Sequence, residues 1–183
     1  MVHMKPLYFD NNATTPLRQS AIKAMQNVMG PPANPSSLHG FGRAARLIIE
    51  DARLAVAQLA GCKTSEVVFT SGGTEANNLV LSNYSNIITS AIEHDSIRKA
   101  YPNTSFIKVD SDGRVDCDDL VSCVNSIPLE ARSNSLISIM AANNETGVLQ
   151  PLNEIAEIAA GAGIALHSDM VQMFGKNILC CII

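Results

Sequence analysis

Apolar residues at Ala44, Leu47, Ile48, Ala52, Ala55 and Leu59 recur three and four positions apart. That spacing is one face of a helix, so it predicts a helix over residues 36–60. Gly61 stands where a C′ glycine would stop it. An earlier helical pattern runs over 16–29 with Pro16 near its first turn, and Gly30, Pro31 and Pro32 break it. From residue 67 onward the period changes. Five short runs rich in β-forming residues occupy 67–70, 87–91, 106–109, 136–140 and 164–167. Helical patterns over 75–81, 118–125 and 152–160 lie between most of them. Strands alternating with helices imply an α/β layer with a mostly parallel sheet. The chain shows no internal repeat and no low-complexity segment.

Ligands in such sheets sit at the carboxyl ends of the strands. The unusual polar clusters of this chain fall there: 71–74, His94, 143–145 and 169–172. Four polar clusters on one sheet edge make a site. The stretch VVFTSGGTEANN reads as strand, glycine turn and helix start. Glycines let backbone approach an anion, and a helix N-terminus offers unpaired N–H groups. Thr74 adds a hydroxyl. No Walker pattern is present, and taken alone the segment could equally be a tight turn without a ligand. His94 could be a surface residue, or a flat ring that stacks on a planar cofactor or shuttles a proton. The AANNETG segment could be a simple turn, or an asparagine amide donating to a ligand oxygen. In HSDMVQ the aspartate could cap the next helix, or hold a protonated ring nitrogen as an ion pair.

Composition narrows the partners. The chain has 183 residues, of which 46% are hydrophobic and 16% charged, as in a globular domain. The net charge of -4 and the lack of a basic stripe argue against nucleic acid. The apolar runs are too short and interrupted for a membrane helix, and the N-terminus lacks a signal-peptide core. Five cysteines without a CxxC pair point to reduced thiols in a cytoplasm, with neither a disulfide framework nor a metal site.

Together and in order, YFDNNATTPL, NPSSLHGFGR, AGC, SGGTEANN, SAIEH, DGRVD, ANNETGVLQP and HSDMVQ resemble the cysteine desulfurases, and their NifS/IscS-type branch in particular. These belong to the class V aminotransferase group of fold type I enzymes that use pyridoxal 5′-phosphate (PLP). The resemblance implies a three-layer α/β/α large domain over residues 16–183 after an N-terminal arm over 1–15. It implies that Thr74 and the Gly73 backbone hold the cofactor phosphate, and that His94 stacks on the pyridine ring and moves protons. It places Asn144 and Gln172 near the phenolic oxygen, Asp169 at the pyridine nitrogen and Asn34 on the substrate side. Family members convert L-cysteine to L-alanine. They pass the sulfur as a persulfide to an acceptor or iron–sulfur scaffold protein, and they work as homodimers.

The chain also departs from the family pattern. The family lysine that bonds PLP sits in an SGHK-like motif beyond HSDMVQ, and these 183 residues contain no such motif. Lys176 matches an earlier GK. The mobile-loop cysteine, the substrate-carboxylate arginine and the small C-terminal domain are likewise without counterparts, and NILCCII departs from the polar family continuation. The connections near 78–86 and Tyr101 are shorter than usual. The expectation is therefore a shortened chain that binds PLP weakly and does not turn over alone. The alternatives are a non-catalytic remnant or interaction module, and a selenocysteine lyase or other class V PLP lyase.

Overall fold

The computed structural model describes residues 6–176, which fall into two compact units divided between Val68 and Phe69. The tail over 177–183, with Cys180 and Cys181, lies outside the described residues. In the first unit, helix α1 spans Gln19–Val28 and α2 spans Gly40–Ala60. A 3-10 turn follows at Thr64–Glu66. Helix α2 starts later than its apolar pattern predicts because the chain before it folds back on the first turn. The His39 side chain accepts the Gly42 N–H, and a Cβ at Gly42 would lie 2.1 Å from the Ser37 carbonyl oxygen. Only glycine tolerates that approach. Gly61 ends the helix in the left-handed conformation at φ 70°, and its N–H donates to the Ala57 carbonyl.

The second unit holds a parallel sheet. Its elements are α3 (Gly73–Leu81), β1 (Asn86–Ser90), α4 (Asp95–Arg98), β2 (Thr104–Ile107), α5 (Cys117–Ser126), β3 (Ser135–Ser138), α6 (Leu152–Ala162) and β4 (Ala165–His167). A 3-10 turn, Leu129–Asn134, leads into β3. The strand order is β2-β1-β3-β4 and every pairing is parallel. Ile87 stands opposite Thr104 on one side and Leu136 on the other, and Leu136 stands opposite Ala165.

Successive side chains of a strand point to opposite faces, and both faces here are covered. Ile88 and Ile137 pack with Leu120 and Val124 of α5 and Ile155 and Ala159 of α6. Ile87 and Leu136 pack on the other face with Leu81 of α3 and Ile97 of α4. The result is three layers, α/β/α. Among the described residues no helix is long and apolar enough to cross a membrane.

One expected strand is missing. Residues 67–70 run extended but join no sheet, and Val68 and Phe69 remain 68% and 48% exposed. The Val67 carbonyl accepts the Arg53 guanidinium, which gives it a side-chain partner and no ladder. Branched and aromatic residues favour an extended backbone, but a strand also needs a neighbour to pair with. The helices over 118–125 and 152–160 are each extended slightly, to Cys117–Ser126 and Leu152–Ala162. Asp116 accepts the N–H groups of Asp118 and Asp119, which starts α5 one residue early.

Because Ile155 is fully buried between α6 and the sheet, Ile155→Ala is expected to lower the unfolding free energy by about 2–5 kcal/mol. The matched change Leu129→Ala, at a residue 76% exposed, is expected to stay within about 0.5 kcal/mol. Denaturant melts of both variants check this, and equal losses would contradict the core as described.

Candidate functional site

The strand order reverses direction between β1 and β3. From β1 the chain crosses to β2 on one side, and from β3 it crosses to β4 on the other. The loops leaving the carboxyl ends of β1 and β3 therefore diverge, and a crevice opens between them. A pocket of about 570 Å³ lies there, lined by residues 91–95 after β1, Arg98, Gly113 and residues 143–146 after β3.

His94 follows β1 and caps α4. Its Nδ1 receives the Ser96 N–H at 3.1 Å and lies 2.8 Å from the Ser96 hydroxyl. Asp169 follows β4. Its Oδ1 accepts the Val171 N–H at 3.0 Å, so the turn-capping alternative is realised at one oxygen. Its Oδ2 accepts Nδ2 of Asn77 at 2.9 Å, and the same Nδ2 reaches Ser96 Oγ at 3.0 Å. His94 and Asp169 are thus joined by two intervening side chains, Ser96 and Asn77. Asn77 lies one turn into α3, whose N-terminus carries Gly73 and Thr74.

The first-turn N–H groups of that helix have no intrahelical acceptors. A Cβ on Gly73 would sit 3.3 Å from Val171, so the turn lies against the loop that follows Asp169. Thr74 is exposed. Glu75 accepts the Ser71 N–H and hydroxyl at 2.6 and 2.5 Å, which holds its carboxyl below the ordinary range.

The two asparagines after β3 divide the work. Asn143 is buried and structural. Its Nδ2 donates to the Ile92 carbonyl at 3.0 Å, and its Oδ1 accepts the N–H groups of Glu145 and Thr146, both at 2.9 Å. It staples the β3 loop to the β1 loop. Asn144, the one expected at a ligand, is half-buried at the pocket and donates to Glu145 at 3.0 Å. Gln172 accepts Lys176 Nζ at 3.3 Å. Neither Gly73, Thr74, Asp169 nor Gln172 lines the 91–146 pocket itself. Asn34 belongs to the first unit, where its side chain accepts the Ser36 N–H at 2.9 Å in a local turn.

Besides Asn77 and Ser96, three residues around the site escape the sequence reading. Glu93 is 3% exposed beneath the pocket. The Ser90 hydroxyl donates to its Oε1 at 2.8 Å, and the Met140 N–H sits 3.0 Å from both of its oxygens. Burial pushes this carboxyl up to about 7, against those hydrogen bonds, and the Asp169 charge adds to the rise. Its only sequence signal is a charge directly after an apolar strand. Gln150 accepts the Val115 N–H and donates to the Gly113 carbonyl, both at 2.9 Å, pinning another wall of the pocket. His167 lies beside Ser138 at 2.9 Å, and burial lowers its pKa.

The sign of the Glu93 effect is definite. A carboxyl raised from 4.5 to about 7 in the folded state favours the neutral form. Its stabilising contribution is complete below the ordinary value and is lost as pH rises through about 7. Glu93→Gln removes the titration, so the stability of the unsubstituted chain should fall relative to the variant between about pH 5 and pH 8. Denaturant melts at both pH values give the difference, and a constant gap would show that Glu93 does not titrate there.

Comparison with known proteins agrees with this geometry. The aminotransferase class-V family matches residues 7–179. A cysteine desulfurase IscS of Dictyoglomus turgidum is 38% identical, over 93% of this chain and 46% of its own. A NifS/IcsS protein homolog of Lactobacillus delbrueckii is 39% identical, over 94% and 48%. The solved NifS-like protein from Rickettsia africae superposes with a TM-score of 0.88 at 37% identity, over 93% of this chain and 50% of that one. A structure described as SspA in complex with cysteine gives 0.81 at 30% identity, over 94% and 52%. The chain spans about half the length of the curated relatives it matches. With the parallel sheet, the strand reversal and this similarity in hand, the chain belongs to the aminotransferase class-V family.

Proposed function

We propose that this chain forms the cofactor-holding part of a PLP-dependent cysteine desulfurase, which takes L-cysteine and passes its sulfur to an acceptor protein. The carrying observation is the hydrogen-bonded line from Asp169 through Asn77 and Ser96 to His94, on the helix whose N-terminus carries Gly73 and Thr74. That arrangement fits PLP by its chemistry. A helix N-terminus with a threonine hydroxyl suits a phosphate dianion. A carboxylate suits a protonated ring nitrogen, and an imidazole suits the face of an aromatic ring.

In this reading Gly73 and Thr74 hold the phosphate, Asp169 keeps the ring nitrogen protonated and His94 orients the ring and carries protons. The Asn144 and Gln172 amides serve the phenolic oxygen, and Asn34 serves the substrate. PLP, when bound, supplies an electron sink for the substrate. A homodimer, a cytoplasmic setting and sulfur delivery to an iron–sulfur scaffold or thio-cofactor pathway belong to the same proposal and rest on the family resemblance. The named desulfurases among the relatives favour this reading over a selenocysteine lyase.

For a polypeptide of these 183 residues, among which no SGHK-like lysine motif occurs, the hold on PLP is expected to be non-covalent. Absorbance titration should give saturable binding, weakened at least about tenfold by Asp169→Ala, which corresponds to about 1.4 kcal/mol. Unchanged binding in that variant would refute the site. Borohydride treatment followed by mass analysis should leave every lysine unmodified, and stoichiometric labelling of Lys176 would overturn the non-covalent reading.

Persulfide formation needs a positioned, deprotonated thiol. Burial raises the Cys117 thiol to about 11 and also raises Cys123. These two thiols are thus not poised for that role, and alanine release by a polypeptide of these 183 residues from L-cysteine and PLP is expected to match free PLP. Turnover well above that level, abolished by Asp169→Ala, would show that the chain works alone.

A further inference from the structure

We propose that Asn77 and Ser96 are positioning residues that fix the His94 ring with its proton on Nε2 and tie it to the Asp169 carboxylate. The functional meaning of this rests on the cofactor reading given above, while the geometry stands without a cofactor.

The direction of every bond follows from what each group is able to do. An ionised carboxylate only accepts. The Asn77 atom 2.9 Å from Asp169 Oδ2 is therefore the amide nitrogen, and the amide orientation is set. The second N–H of that nitrogen goes to Ser96 Oγ at 3.0 Å. Ser96 Oγ accepts there, which frees its own proton for another partner.

His94 Nδ1 lies 2.8 Å from that hydroxyl and 3.1 Å from the Ser96 backbone nitrogen. A backbone N–H is only a donor, so the nitrogen it meets carries no proton. Nδ1 is the acceptor of both Ser96 groups, and the proton of the neutral ring is on Nε2. The line reads outward from Asn77, to Asp169 on one side and through Ser96 to His94 on the other. Asn77 is 4% exposed, so its own two bonds are shielded from water and one of them is charge-assisted, while the Ser96–His94 contact lies at the exposed end of the line.

Two consequences follow. Nδ1 is fully engaged, so any proton that His94 exchanges with a bound ligand travels through Nε2. Helix α3 also has two tasks on one face. Thr74 stands at its mouth and Asn77 three residues on, so the helix that presents N–H groups to an anion also sets the two ring-contacting side chains.

The test uses the full chain, free of cofactor, with ¹⁵N-labelled histidine. Long-range proton–nitrogen spectra report which ring nitrogen of His94 bears the proton. The expected result is a protonated Nε2 and a bare Nδ1. Asp169→Ala should then shift the His94 nitrogen signals, and that shift should be lost when Ser96→Ala has opened the line. Ser96→Ala keeps the backbone donor to Nδ1, and a denaturant melt checks that its fold holds, whereas Asn77→Ala removes two bonds at once and serves as a second severing variant. A protonated Nδ1, or an equal shift with and without Ser96, would overturn the proposal. Should the line hold while Asp169→Ala leaves PLP affinity unchanged, the cofactor reading falls and the positioning role remains.

Discussion

Strand β1 is bonded in parallel to β2 along one edge and to β3 along the other, and the rest of the second unit follows from that double pairing. Parallel neighbours cannot be joined by a hairpin, so each connection crosses a face of the sheet. The crossovers cover both faces with helices and send the chain in opposite directions after β1 and after β3. The gap left between those directions is where the pocket stands, and the loops that line it carry His94, Asn143 and Asn144. The site is a consequence of sheet topology before it is a set of side chains.

Much of this was visible in the chain itself. The apolar spacing of α2, the β-rich runs at 87–91 and 136–140 and the polar residues at the strand ends all reflect short-range physics, which a sequence displays directly. What stayed hidden depends on distant partners. Residues 67–70 have the composition of a strand, yet pairing is decided elsewhere. Asn143 and Asn144 look alike in sequence, and only the position of the Ile92 carbonyl makes the first a staple. Glu93 and Asn77 read as an ordinary acid and an ordinary helix residue, because the groups that satisfy them, Met140 and Asp169, come 47 and 92 residues later.

The buried polar residues around the pocket share one design. Asn77, Glu93, Asn143 and Gln150 each use side-chain atoms to bond groups on a different segment. A buried polar group is costly when unpaired, so each such residue stabilises one arrangement of two loops and penalises the others. The loops beyond the carboxyl ends of β1 and β3 thereby hold a fixed spacing although the strand pairing ends at Thr89 and Ser138. A rigid edge of that kind is what a planar ligand with several polar substituents requires.

The long reach of these pairings also has a meaning for synthesis. Thr89 of β1 donates to the Ser138 carbonyl, 49 residues further along. A ribosome adds roughly 5–20 residues per second, so β1 emerges seconds before β3 exists to receive it. During that interval Ile87 and Ile88 lack their cover and the strand offers an unpaired edge. Contacts so distant along the chain also close slowly. The nascent chain therefore passes through a stage in which β1 stands uncovered, and the pocket edge takes shape only once β3 has paired with it.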